Sequence, residues 1–580
     1  MLVPSYCTVL TLLSLCHAIG LTRTFYITPS DSSSQLSCPV DHCYSLQDVI
    51  NNQSNFVDSY MTLILKLMPG RYDITERVGH LVIAGINNFI LKGVRIYGRG
   101  NAKARIICHG NATFGFALAY NTGISIVNFE INSCCANLNW SVYTRRKDRH
   151  WLDNFSHIWF EYPSFCMSQS QLCCISLFSM QNNMVTLHRT NIIKSSGIGM
   201  FSLGNTIVNL TESLMEYNQI NCIIYMSNGM QVTVSDSHFM FGNHTVFQLA
   251  SGLSVFMKSD YNSDILSVAL MNVTFKNNCA HYGNLYLTLY AHIASKAVYI
   301  LIQNVSVLQN GEVAPGLVME YYIDTAVLNS HYPFNTYDAV LRLPYEHDIE
   351  SIPIVQSGPF DHDDHVAIST FLHAVPSQEF ESYYERFSRQ NRLQVKILIG
   401  NIYLEGCCVI IKEREPLNTT IFKVKFYMIM KSIIISKSQC SIAFVNNHTD
   451  VGYLQLRNLT ITNSFGDILY VRGNSDHTLE FTDCTSITMS QGSILFTKIK
   501  TKLSGEVQIS NNVASNHESI FLISDSSEVS FLGITTFIDN RGRKGGAISI
   551  YGSNMLFSSA VIFTGNLADT SGGAISLNEG

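Results

Sequence analysis

Residues Asp361, His362, Asp363, Asp364 and His365 set three carboxylates and two imidazoles side by side in the chain. Two carboxylates held close together can divide the work of glycosidic hydrolysis, one protonating the leaving oxygen while the other activates water or attacks the sugar. The same side chains could hold Ca²⁺ through oxygen, or a transition metal through imidazole. A charged run of this kind is also what a solvated acidic loop looks like. The basic run Arg145 to His150 (RRKDRH) poses the same choice between a patch for sulfated glycans, a processing site and an exposed loop. No P-loop, H-E-x-x-H, G-x-S-x-G or dinucleotide fingerprint occurs in the chain.

The acidic cluster sits in a stretch unlike the rest of the sequence. Pro315, Pro333, Pro344, Pro353, Pro359 and Pro376 are half of the chain's 12 prolines, and Tyr, Asp and Glu are frequent around them. Phe380, Tyr383, Tyr384 and Phe387 have helical spacing, which predicts a short helix over 377–387. Residues 311–395 therefore read as a large excursion from a scaffold, or as an interruption between two lobes of it. Long loops on rigid scaffolds commonly carry recognition.

The scaffold is a repeat. Short apolar strands begin at Ser441, Asp467, Ser493 and Ser519, each 26 residues after the last, and then at Ala547 and Ala574, after 28 and 27. They read SIAFV, DILYV, SILFT, SIFLI, AISIY and AISLN. Alternation would put Ile442/Phe444, Ile468/Tyr470, Ile494/Phe496, Ile520/Leu522, Ile548/Ile550 and Ile575/Leu577 on one inward face. A second set of strands is expected between them, over 453–461, 478–487, 505–509, 528–531 and 555–563. Two or three strands per coil, joined by turns rich in Ser, Asn, Asp and Gly, predict a parallel β-helix. A leucine-rich repeat lacks its frame here, and a propeller blade needs a longer period. Upstream, Ile175, Ile198, Ile223 and Val246 begin comparable strands at looser spacing, with a loop insertion near 136–171.

In the last two coils, Phe537 and Asn540 precede Gly545-Gly546-Ala547-Ile548, and Phe563 and Asn566 precede Gly572-Gly573-Ala574-Ile575. These paired F-x-x-N and G-G-A-I motifs resemble those of the chlamydial polymorphic outer membrane proteins and of related right-handed β-helix proteins secreted by eukaryotes. Phe275/Asn278 and Val307/Asn310 are partial forms of the first motif. Gly-Gly permits a tight corner, and Asn can bond neighbouring backbone at the turn. Near the N-terminus, a short amphipathic helix over 45–51 with Ser45 as N-cap precedes strands over 62–68, 72–74, 89–93 and 94–98. That order is similar to the opening of pectin-lyase-like β-helices, a resemblance that implies a helix capping the exposed end of the coil. Pectin-degrading glycosidases of this fold carry paired aspartates in a D-D-x-V-A-I context resembling Asp363-Asp364-His365-Val366-Ala367-Ile368. Asn335 and Asp338 are a loose counterpart of their upstream N-x-D, but no G-H-G and no R-x-K follows downstream.

Residues 1–20 read as a secretory signal peptide, with an apolar run over 9–15 and the small-residue site Cys16-His17-Ala18. The n-region lacks Lys and Arg, which leaves a buried first strand as the other reading. Secretion agrees with N-x-S/T sequons at Asn52, Asn111, Asn139, Asn154, Asn209, Asn243, Asn272, Asn304, Asn418, Asn447 and Asn458. It also agrees with the 16 cysteines, because losing Cys7 and Cys16 with the leader leaves an even number for disulfides. The adjacent pairs Cys134/Cys135, Cys173/Cys174 and Cys407/Cys408 would point to opposite faces of a strand, so each is expected to offer one buried thiol and one for cross-linking. A net charge of -6 argues against nucleic acid, and Lys423, Lys425 and Lys431 interrupt the most apolar stretch, so no membrane span is expected.

The expected organisation is a signal peptide (1–20), an N-terminal cap and first strands (21–75), a first β-helical lobe (76–310), the irregular insertion (311–395) and a second lobe (396–580). The chain stops directly after a fresh G-G-A-I strand, so further coils are expected beyond residue 580. The expected class is all-β, a right-handed parallel β-helix with coils of about 26 residues. The expected function is a non-catalytic extracellular recognition or adhesion scaffold, a secreted or cell-surface glycoprotein whose partners are extracellular proteins or glycans. No catalytic, cofactor-binding or metal-binding residues are expected. The alternative is a polysaccharide hydrolase or lyase using Asp361, Asp363 and Asp364.

Overall fold

The computed structural model describes residues 22–29, 43–51, 62–94, 103–137, 174–204, 206–227, 230–244, 250–259, 266–280, 284–292, 297–309, 315–324, 394–405, 407–413, 425–438, 442–445, 451–466, 468–473, 477–515 and 517–578. Almost all of their regular structure is strand, and nearly every pairing is parallel between one coil and the next, so the fold is a parallel β-helix. The described strands divide into two compact units, one ending at Leu214 and the other beginning at Met215.

In the first unit, Thr22–Thr28 pairs with Thr62–Leu67, which pairs with Asn88–Gly93 and then Gly123–Asn132. A second sheet stacks Arg77–Ala84, Thr113–Ala119, Cys174–Met180 and Ile198–Leu203. Their inward side chains meet in a dry core, where Phe116 touches Phe114 and Phe129 edge to face. The expected helix is present at Leu46–Asn51, with Leu46, Val49 and Ile50 buried. Ser45 caps it: Asp48 N donates to Ser45 Oγ at 3.0 Å, and Ser45 N donates back to Asp48 Oδ2 at 2.9 Å.

In the second unit the irregular insertion expected over 311–395 is corrected at its ends, where 315–324 and 394–395 belong to strands; residues 325–393 lie outside the described residues. Pro315–Asp324 still stacks on Leu285–His292, and Gln394–Glu405 pairs directly with Ala297–Gln303. From there parallel pairing continues from coil to coil through Lys425–Ser436 and Val451–Thr462 to the C-terminal strands. The core of the last coils is aromatic, with Phe496, Phe521, Phe537 and Phe563 in a chain of rings whose centroids are 5.3, 5.3 and 5.2 Å apart. Each such ring withdrawn from water contributes about 1.5–3 kcal/mol.

The register corrects the expected ladder. Ile442 pairs with Leu469, Leu469 with Ile494, Ile494 with Phe521, and then Phe521 with Ile548. Two coils have therefore slipped by one residue from a uniform spacing, so that Leu469/Val471 and Phe521/Ile523 take the paired inward places; Ile468 and Ile520 stay buried just before their strands, while Tyr470 and Leu522 are only half-buried. Because side chains alternate, a single extra residue at a turn exchanges the faces of a whole strand. The slip keeps the Tyr470 hydroxyl out of the core. Upstream, the pairing of Ile175 with Ile198 agrees with the expected spacing. Val246 lies outside the described residues, and the strand stacked on Ile220–Ser227 is Leu253–Ser259.

Corners explain the F-x-x-N motif. Asn463, Met489, Asn511 and Asp539 each adopt a positive φ, and the residue after each points into the core. The N–H of that inward residue has no strand to pair with, so the next coil's side chain accepts it. Ser464 N donates to Ser490 Oγ, Ser490 N to Asn512 Oδ1, Asn512 N to Asn540 Oδ1 and Asn540 N to Asn566 Oδ1, at 3.0–3.2 Å. Each Asn returns a bond downward, as Asn540 Nδ2 does to Ile509 O at 2.9 Å. Asn278 repeats the arrangement with Gly242 N and Phe239 O, and in the first unit Asn121 and Asn182 build a similar ladder. The Gly-Gly pairs are equally constrained, since Gly545 and Gly572 have φ of +60° and +67° and a Cβ there would collide with the carbonyls of Ile548 and Ile575.

Asn540→Ala should therefore strand the buried Asn512 N–H and Ile509 C=O, lowering the stability of the second unit by about 2–4 kcal/mol. Asn566→Ala, at a partly exposed rung, should cost ~1 kcal/mol. Urea denaturation of the two variants checks the order, and equal losses would contradict the ladder.

Candidate functional site

Among the described residues the interior is mostly apolar, so the outward side chains are the first candidates for chemistry and recognition. On Val451–Thr462 the inward set is Leu454, Leu456, Leu459 and Ile461, which leaves Tyr453 and Arg457 half-buried on the outside of the second unit, with Gln455 between them covered by its neighbours and buried. Register sets Gln455 opposite Glu480, and Glu480 opposite Lys502 on the following coil. These groups bond to one another across coils. Tyr453 Oη donates to Glu480 Oε2 at 2.5 Å, Gln455 Nε2 to the same oxygen at 3.5 Å, Ser504 Oγ to Glu480 Oε1 at 2.9 Å, and Arg457 Nε to Gln455 Oε1 at 2.8 Å. The row through Tyr453 continues in register to Tyr427, Lys396 and Tyr299 on one side and to Thr478 and Lys500 on the other. An aromatic ring, a carboxylate and a guanidinium held in a row on a sheet, braced by a buried amide, suit a ligand bearing many hydroxyls.

The first unit has a tighter ionic cluster. Arg71 Nε donates to Asp73 Oδ1 at 2.7 Å, and His109 Nε2 lies 2.5 Å from the same oxygen. Slight burial raises the Asp73 pKa, but the bonds from His109 and Arg71 outweigh it and hold the carboxyl below its usual range. A carboxylate stabilised in this way makes a poor general acid near neutrality.

His80 is perturbed more strongly. It is only partly exposed, its ring rests against Gly115, where a Cβ would come within 2.9 Å of it, and Nε2 lies 3.1 Å from Ile175 O. Burial lowers its pKa to about 4, and the Ile175 and Asn137 backbone only partly opposes that shift.

The cysteines beside His80 correct an expectation. Cys134 is bonded to Cys108, and its neighbour Cys135 to Cys174, so both members of the pair are cross-linked and both are buried. They follow the positive-φ corner at Ser133 and do not lie in a strand, so alternation between faces does not govern them. Cys43 is also disulfide-bonded. Cys222 is fully enclosed, and burial pushes its thiol far above the ordinary range, which leaves it inert as a nucleophile.

Asp361, Asp363, Asp364 and their flanking histidines lie outside the described residues, as do Arg145 to His150 and the helix expected over 377–387. Among the described residues no group of three or more His, Cys, Asp or Glu is gathered to hold a metal. No described helix is long and apolar enough to cross a membrane. The Tyr453, Gln455, Arg457 and Glu480 strip was missed by sequence reasoning. Polar and apolar residues alternate visibly over 453–457, but which residue of the next coil opposes Gln455 depends on turn lengths.

In a comparison with known families, residues 560–578 match the Chlamydia polymorphic membrane protein repeat. The match spans the coil containing Val561–Thr564, Leu567–Ser571 and Ile575–Asn578. No curated protein matches the chain. A solved structure from Escherichia coli, YbhC, is similar over 59% of this chain and 80% of its own, at 12% identity and a TM-score of 0.23.

His80 supplies a pH test. Its folded pKa is depressed, so its contribution is fully present above the unfolded value of about 6.5 and is lost as the pH falls toward about 4. A full shift of that size is worth about 3 kcal/mol. Because the residue keeps some solvent contact, ~1–2 kcal/mol should appear. His80→Gln should flatten the stability profile over that window; an unchanged slope would assign the acid sensitivity elsewhere.

Proposed function

We propose that this chain is a secreted or cell-surface recognition or adhesion scaffold that performs no catalysis of its own. The observation that carries the reading is the outward, cross-coil network of Tyr453, Gln455, Arg457, Glu480 and Ser504. It is a polar surface held by backbone ladders, as recognition on a repeat scaffold requires. The match of residues 560–578 to a repeat of a bacterial membrane protein family adds support, as do the sequons and disulfides such as Cys108–Cys134 and Cys135–Cys174, which suit an oxidising compartment. On this reading the partners are extracellular glycans or proteins, glycans being favoured by the chemistry of the strip. The Leu46–Asn51 helix would cap the first coil against edge-to-edge association.

Glycan-array and cell-binding measurements on the full chain test this. Binding should appear, and Arg457→Ala combined with Glu480→Ala should weaken it about tenfold, or ~1.4 kcal/mol, without moving the unfolding midpoint by more than a surface change does. Absence of binding to both glycans and cells would refute the reading. Binding that ignores the double substitution would move recognition away from this strip.

A further inference from the structure

Three of the sequons fall on one structural position. Asn272 and Asn304 open the two-residue corners between Leu266–Met271 and Thr274–Lys276 and between Ala297–Gln303 and Ser306–Leu308, and Asn458 makes the same left-handed corner within Val451–Thr462, with φ of 54°, 52° and 54°. At this corner the first residue must tolerate the left-handed region, the second points inward and the third faces out from a strand. Asn is the side-chain-bearing residue best suited to the first place. Val273, Val305 and Leu459 fill the second and are buried. Thr274, Ser306 and Thr460 occupy the third and belong to strands. The corner's own requirements thus spell N-x-S/T, whether or not a glycan is attached.

The three positions differ in their surroundings. Asn304 Nδ2 donates to Asn272 Oδ1 at 3.0 Å, and Asn272 Nδ2 donates to Asp236 Oδ1 at 3.0 Å, so these amides form an exposed ladder on three successive coils. Successive coils are spaced at the inter-strand distance of about 4.8 Å, far less than the width of a branched oligosaccharide. Asn458 is exposed, and its register neighbours are Ser432 below and Asp483 above, neither of which is an acceptor asparagine. Asn111 is also exposed, in the turn before Thr113–Ala119.

We propose that Asn458 carries an N-linked glycan, while Asn272 and Asn304 serve mainly as a structural amide ladder and never both carry glycans on one molecule. The inference rests on the secretory reading above, and it assigns which sequons that reading can use.

The sequence makes the exclusion measurable, because no Asp or Glu lies between Asp264 and Glu312. Cleavage after acidic residues therefore releases Ile265 to Glu312 as one peptide holding both asparagines. The full chain, secreted from eukaryotic cells, is first digested in this way and, with the protease removed, its peptides are deglycosylated enzymatically in H₂¹⁸O, so that each formerly glycosylated Asn becomes a labelled Asp without opening a new cleavage site. The expected result is a label at Asn458 and no more than one on the 265–312 peptide. Two labels on that peptide, or an unlabelled Asn458 in a chain labelled at Asn111, would overturn the proposal. No label at any sequon would overturn the secretory reading and the proposal with it. A second comparison separates the ladder from the sugar. Ser306→Ala removes the sequon but keeps the amide, and should leave the unfolding midpoint within a degree or so, whereas Asn304→Ala should lower it by several degrees. Equal shifts would show that the Asn304 amide has no structural part.

Discussion

A parallel coil must turn without leaving backbone groups unpaired in a core that excludes water. Inter-strand bonding takes care of the straight segments, but at each corner a left-handed residue swings the next N–H out of the ladder. The inward amides of Asn512, Asn540 and Asn566 meet that need, each accepting the N–H below it and donating to a carbonyl of the same lower coil. Alignment of coils, placement of the phenylalanine stack and the direction of every outward side chain follow from that repeated bond. Because an unpaired buried amide costs more than a pairing contributes, coils that fail to align are penalised at every corner.

That constraint also locates function. Among the described residues most interior positions are apolar, so the outward ones are the candidates to meet a ligand. Outward residues are released from packing and free to differ from coil to coil, as the row Tyr453, Thr478 and Lys500 does. What the fold contributes to recognition is spacing: side chains three or four rungs apart in space are scores of residues apart in sequence, yet are held by continuous backbone ladders.

Much of this architecture was legible in advance. Strand recurrence in the last coils, the inward alternation of Ile494/Phe496 and Ile548/Ile550, the Ser45 cap and the Gly-Gly corners follow from local rules of periodicity and conformation. The slip to Leu469 and Phe521 did not, since it turns on whether one residue is spent in a turn or in a strand. The same uncertainty hid the Glu480 network, whose members come from separate coils. The Cys134/Cys135 pair misled for a related reason, because a rule for strands was applied to residues that follow a corner.

By itself, then, the sequence determined the class of fold, the approximate length of a coil and the residue types allowed at corners, all consequences of preferences that act over a few neighbouring residues. Tertiary structure alone decided register, disulfide partners and which outward groups touch. Those depend on the summed lengths of turns between distant strands, and one residue more or less exchanges the inside of a strand for its outside. Asn272 and Asn458 show the division well: as N-x-T tripeptides they are equivalent, and only stacking reveals that one has another acceptor asparagine on the next coil and the other does not.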